Sequence, residues 1–192
     1  MDLQEGARAM QQLGLRVSKL GEPPREIMER VLKTAHEMIL TRTLNGTDKL
    51  GNKFVPYSEG YYYVHKDSPY YSIAVSAGGR ITKNGVVFDD RGYDQFKKGV
   101  TFEEVNLYVL GDMFNAVLYR VISPIEGEIT IDDPKMAARA AAHEFGTANV
   151  PERPWWGVGL MEDERNELQE IVRAGYVEFA NQIMSGEDHG NA

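Results

Sequence analysis

The 192-residue chain carries 42 % hydrophobic and 26 % charged residues, the proportions of a soluble globular protein with enough length for a sizeable core. Its 29 acidic against 21 basic residues give a net charge of −8, which argues against a surface built to grip nucleic acid or an anionic membrane. Without cysteine it has no disulfides or thiolate metal sites, which fits a reducing cytoplasm, and no apolar run approaches the ~20 residues needed to span a bilayer.

The first residues have neither the positive flank nor the apolar stretch of a signal peptide. Leu3, Ala7, Met10, Leu13, Val17 and Leu20 recur at helical spacing and predict an amphipathic helix over 3–20. Gly21 and Pro23-Pro24 stop it. A second helix starts near Pro24 or Arg25, with Ile27, Met28, Val31, Leu32, Ala35, Met38 and Ile39 on one side, so 1–43 reads as a helical pair.

Residues 44–104 read as an excursion. Asn45-Gly46 and Gly51-Asn52 are turn signals, and six of the ten tyrosines then fall between Tyr57 and Tyr71. Tyr61, Tyr62 and Tyr63 are candidate contact residues, because tyrosine offers large area with few rotatable bonds; the alternative is half-buried packing on the helices. Asn84-Gly85 is the favoured two-residue turn of a hairpin from Arg80 to Phe88. That hairpin looks polar and short of core residues, and is expected to project as an arm. A short helix or turn follows over 91–98, where Lys97 and Lys98 suggest a solvated face.

Residues 105–185 read as a sheet with helices, and 186–192 as a frayed tail. Val105–Leu110 is a short apolar segment; 117–122 and 128–132 predict two strands around Pro124–Gly127. Asp133 is placed to cap a helix whose first residue is Pro134, and Gly146 to end it. A last helix carries Glu162, Asp163 and Glu164 in its first turn and an apolar stripe of Leu168, Ile171, Val172, Gly175, Phe179 and Ile183. The expected fold is one α+β domain over 1–192, a small antiparallel β-sheet packed by N-terminal and C-terminal helices.

Chemistry-bearing patterns are thin. His143-Glu144 lacks the second histidine that a zinc-protease helix needs four residues on, since Thr147 stands there. Asp89-Asp90 and Asp132-Asp133 are neighbours that point apart, not acid–base pairs. No glycine-rich dinucleotide loop or nucleophile elbow is present. No catalytic residue, metal or cofactor is expected. The dense stretch is 142–157, which holds both tryptophans; Phe145, Arg153, Pro154, Trp155 and Trp156 are its candidate contact residues, with Asn84 and Gly85 at the hairpin tip. Arg153 is suited to a bidentate bond with a carboxylate, and one tryptophan is expected to anchor the loop while the other faces a neighbour.

Gly51–Ser58, Leu110-Gly111-Asp112-Met113 and Ala142–Thr147 followed by Pro151-Glu152-Arg153-Pro154-Trp155 and Gly157 resemble, in that order, the phage virion morphogenesis or tail-completion proteins that join heads to tails. Trp155 stands where that family usually has phenylalanine, and Glu152 where a small residue is common. The resemblance implies a structural virion protein made in the host cytoplasm, with no enzymatic activity. It implies self-assembly into a ring at the head–tail joint, beside neck, portal-adaptor and tail-tube proteins, through which DNA passes without specific binding. The alternatives from other classes are a soluble adaptor that takes a partner peptide at a sheet edge, and a hydrolase.

Overall fold

The computed structural model describes residues 21, 23–57, 60–90, 92–99, 107, 111–148, 150–159 and 161–185. The expected helix over 3–20, the tail from 186 and all of 105–110 but Leu107 lie outside them. Among the described residues the chain forms α1 (Arg25–Leu44), β1 (Tyr62–His65), α2 (Tyr71–Ser76), β2 (Arg80–Thr82), β3 (Gly85–Phe88) and α3 (Gly92–Lys98). These are followed by α4 (Asp112–Asn115), β4 (Val117–Ser123), β5 (Glu126–Ile131), α5 (Pro134–Phe145) and α6 (Glu162–Ser185). The class is α+β, with one three-stranded and one two-stranded antiparallel sheet. No described helix is long and apolar enough to cross a membrane.

The chain divides into two compact units, each built from separated pieces. The first takes the described residues up to Glu37, Leu118–Thr130 and those from Val158 onward; the second takes Met38–Val117 and Ile131–Gly157. These limits differ from the segment boundaries at 43 and 104 drawn from the sequence.

In the first unit, the predicted stripe of α1 buries Ile27, Leu32 and Ala35. Helix α6 lies against it at Gly175, where an added Cβ would stand 2.9 Å from Ile27 Cγ1. The β4–β5 hairpin packs there too, with the Tyr119 ring 5.7 Å from that of His36 and Arg25 donating to the Val121 carbonyl at 2.6 Å. Glu164, in the first turn of α6, is buried and accepts from Gly159 N at 2.9 Å. The stripe of α6 is narrower than expected, because Val172 is exposed.

In the second unit the sheet order is β1-β3-β2, both pairs antiparallel. β3 is central and wholly buried, which corrects the reading of the hairpin as short of core residues: Val86, Val87 and Phe88 are all interior. Val86 and Phe88 meet Val64 of β1, Ala74 of α2 and Phe96 of α3. Each of these valine and phenylalanine side chains taken from water stabilises the fold by about 1.5–3 kcal/mol.

The turn also shifts. Thr82 pairs with Gly85, so the two loop residues are Lys83-Asn84 and Gly85 opens the strand. Gly85 is needed there for close approach: a Cβ would strike the Val64 carbonyl and the Tyr63 ring, whose hydroxyl donates to Asn84 O at 2.7 Å. Asn84 is exposed at the tip, whereas Gly85 is buried.

Candidate functional site

Helix α5 sets up the 142–157 stretch. Asp133 caps it, accepting from Lys135 N at 2.8 Å and Met136 N at 3.0 Å, with Pro134 behind as expected. Gly146 ends it at a φ of 69°, a conformation that suits glycine. The chain then doubles back, and Arg153 N donates to the His143 carbonyl at 2.7 Å.

Glu144 holds the returning loop. One carboxylate oxygen accepts from both Trp155 N and Trp156 N, each at 2.9 Å, and the other accepts from the Lys49 ammonium. Lys49 N in turn donates to the Pro154 carbonyl at 2.9 Å. Arg42, buried near the end of α1, donates to the Trp155 and Gly157 carbonyls at 2.9 and 2.6 Å. Two charged side chains from the start of the unit thus pair with the loop's backbone groups and with Glu144, as buried polar groups require.

Arg153 and Trp155, expected as contact residues, are interior at 2 % and 0 % exposure. Trp155 fills the space beside Phe114 and donates its indole N–H to the Ala140 carbonyl at 3.2 Å. Among the described residues Arg153 meets backbone carbonyls and not the expected carboxylate. Its guanidinium donates to the Val55 and Pro56 carbonyls at 3.0 and 3.1 Å and lies 4.7 Å from the Tyr57 ring centroid, a cation–π arrangement. Burial holds its pKa below the ordinary arginine value. Pro154 and Trp156 are half-buried, with the Trp156 ring edge-on to Trp155 at 5.0 Å. Phe145 alone of this group stands well out, at 77 % exposure.

The tyrosines divide likewise. Tyr61 is 67 % exposed, and Tyr63 lies over Gly85 while keeping an outer face. Tyr62 is half-buried among Phe88, Tyr93 and Phe96, and burial raises its pKa.

Sequence reasoning missed a cavity of about 610 Å³ inside the second unit. Tyr57, Tyr62, Tyr93, Phe96, Met113 and Phe114 line it, together with the exposed Tyr61 and Asp112. Arg139, His143 and Arg153 supply its nitrogen groups. His143 Nδ1 is buried there and has no hydrogen-bond partner among the described residues, and burial followed by the nearby Arg153, Arg139 and Lys97 charges pushes the imidazole down to about 4. It is neutral at pH 7. Burial also raises the Tyr93 phenol well above its ordinary value.

Lys97, read from sequence as part of a solvated face, is 3 % exposed, with its ammonium 5.9 Å from the Tyr57 ring centroid, and burial lowers it to about 8. Helical spacing on α3 could have found it, since Lys97 follows Phe96, whose ring lies in the core, and Tyr93 sits one turn earlier. Among the described residues no group of three histidines or carboxylates is placed to hold a metal ion. No protein-family model, no curated protein and no solved structure matches this chain.

Proposed function

We propose that this chain is a structural subunit of a phage head–tail joint, a neck, tail-completion or tail-terminator protein that self-assembles into a ring around the DNA path. The observation that supports it most is how the 142–157 stretch spends its polar groups. Glu144 and Arg153 are engaged by the loop's own backbone and by neighbouring carbonyls, which fits a rigid scaffold, while Phe145 is held outward on the capped end of α5. An exposed aromatic on a stiff support is suited to docking, since little conformational freedom is lost when it binds. The net charge of −8 fits a channel that lets a polyanion slide past.

Mass spectrometry of purified virions tests the location. The chain should appear in particles at roughly a few to a dozen copies, the stoichiometry of a closed ring. Its presence in infected-cell lysate but not in particles would count against the proposal.

A second reading, an adaptor that adds a partner strand, is favoured by one observation. β2 is an edge strand, and Ile81 within it is 60 % exposed. Replacing Ile81 with lysine would abolish partner binding under that reading and leave ring assembly intact under the first.

A further inference from the structure

We propose that the aromatic cavity of the second unit is the socket for Phe145 of a second copy of this chain, with Arg139 beside the socket pairing with Glu152 of that copy. The proposal rests on the reading of the chain as self-assembling, and supplies the contact that such assembly would use.

The geometry comes from one helix. Arg139 and His143 are one turn apart on α5 and both line the cavity. Phe145 is two residues beyond His143, about 200° further around the helix, and so points away from it. The returning loop repeats this division. Pro151 and Arg153 line the cavity, whereas Glu152 between them does not and is exposed. Glu152 also lies beside the helix end that carries Phe145, because a Cβ added to Gly146 would stand 3.3 Å from Glu152 Cβ.

One side of α5 therefore presents a benzyl group with a carboxylate next to it. The other side presents aromatic walls with a guanidinium. Among the described residues neither Arg139 nor Glu152 has a salt-bridge or hydrogen-bond partner in its own chain, so each is available to the other across copies. Asp112 is a carboxylate at the cavity, and Arg139 and Arg153 outnumber it. His143 Nδ1, buried and without a hydrogen-bond partner among the described residues, would donate to an incoming carboxylate as the Nδ1–H tautomer. The aromatic walls would surround the phenyl ring, and a buried aromatic side chain covers roughly 150–250 Å².

Knob and socket on opposite sides of a helix cannot meet within one molecule. Each copy that docks its Phe145 keeps its own socket open for the next. Such a head-to-tail contact closes into a ring when the rotation per copy allows it.

Native mass spectrometry and light scattering of the full chain test this with four variants: Phe145→Ser, Arg139→Glu, Glu152→Lys and the double reversal Arg139→Glu with Glu152→Lys. Phe145 and Glu152 are exposed, and circular dichroism checks that each variant folds. The parent should be oligomeric. Each single variant should need roughly tenfold more protein to assemble, and the double reversal should recover most of that loss, as complementary charges require. An oligomeric parent whose Phe145→Ser variant assembles equally well overturns the socket and leaves the self-assembly reading standing. So does a double reversal no better than the single ones. A parent that stays monomeric at its solubility limit overturns both.

Discussion

Glu144→Ala removes the side chain on which the returning loop hangs. Its carboxylate accepts from two backbone N–H groups at 2.9 Å and from Lys49, and it is only 9 % exposed. A hydrogen bond to a charged group contributes about 1.5–3 kcal/mol. Part of that returns as water reaches Lys49, whose side chain is 28 % exposed, and Trp156 N, which is only partly buried. Trp155 N has no such relief, because its residue is sealed at 0 % exposure.

Losing one partner of a buried pair costs about 3–5 kcal/mol. At this chain length, where 1 kcal/mol moves Tm by about 2–4 °C, Glu144→Ala should melt roughly 6–20 °C lower. Glu144→Gln keeps an oxygen for both N–H groups but loses the charge and turns an amide NH2 toward Lys49, which can move to water, so about 1–2 kcal/mol is expected. Urea unfolding at pH 7, followed by tryptophan emission, reads the clamp directly because both tryptophans of the chain sit in it. Equal losses for Ala and Gln, or a loss below about 1 kcal/mol for Ala, would refute the carboxylate's role in holding the loop.

His143 makes the second unit sensitive to acid. Its folded pKa of about 4 lies below the unfolded 6.5, so the unfolded chain binds the extra proton between those values. The stability is fully present above pH 6.5 and falls as pH drops towards 4, by up to about 3 kcal/mol; urea midpoints for His143→Gln should show a correspondingly shallower fall. Trp155→Ala should cost about 3–5 kcal/mol as a core truncation, whereas Trp156→Ala, at a half-buried ring, should cost visibly less in the same thermal melts. Gly175→Ala should destabilise the first unit by about 1–3 kcal/mol, since its Cβ would press on Ile27 and Arg30; a thermally neutral variant would show that α1 and α6 can part there.

The elements that sequence reasoning located well are those governed by neighbours in the chain. Asp133, Pro134 and Gly146 bound α5 because capping is decided within four residues, and the apolar spacing after Arg25 marks the buried side of α1. The failures depend on residues far away. Tyr62–His65 is a strand because it pairs with Val86 and its neighbours, some twenty positions later, and nothing in a run of tyrosines announces that pairing. Asn84-Gly85 carries the local signature of a turn, yet Gly85 is required by the Tyr63 ring and the Val64 carbonyl that cross it.

Arg153 and Trp155 have the composition of a contact loop. They are interior because Val55 and Pro56 offer two free carbonyls to one and Phe114 offers a ring face to the other. Composition alone cannot separate an aromatic that meets a neighbour from one that meets its own chain. The cavity was invisible for the same reason, since its walls come from four separated stretches between Tyr57 and Arg153.

The reach of the bonds that hold the loop has a bearing on the order in which the protein can be made. Lys49 meets a carboxylate 95 positions later, and Arg42 meets a carbonyl 115 positions later. At a synthesis rate of about 5–20 residues per second, the early segment must wait on the order of 5–20 s for its counterpart to leave the ribosome. Through that interval Arg42 lacks its two carbonyl partners and the Tyr57 ring lacks Arg153, and the second unit can be completed only after Gly157 has emerged. Nascent chains stalled before that point should be the ones that chaperones hold longest and proteases cut first, with protection rising abruptly once the tryptophan loop is free to fold back.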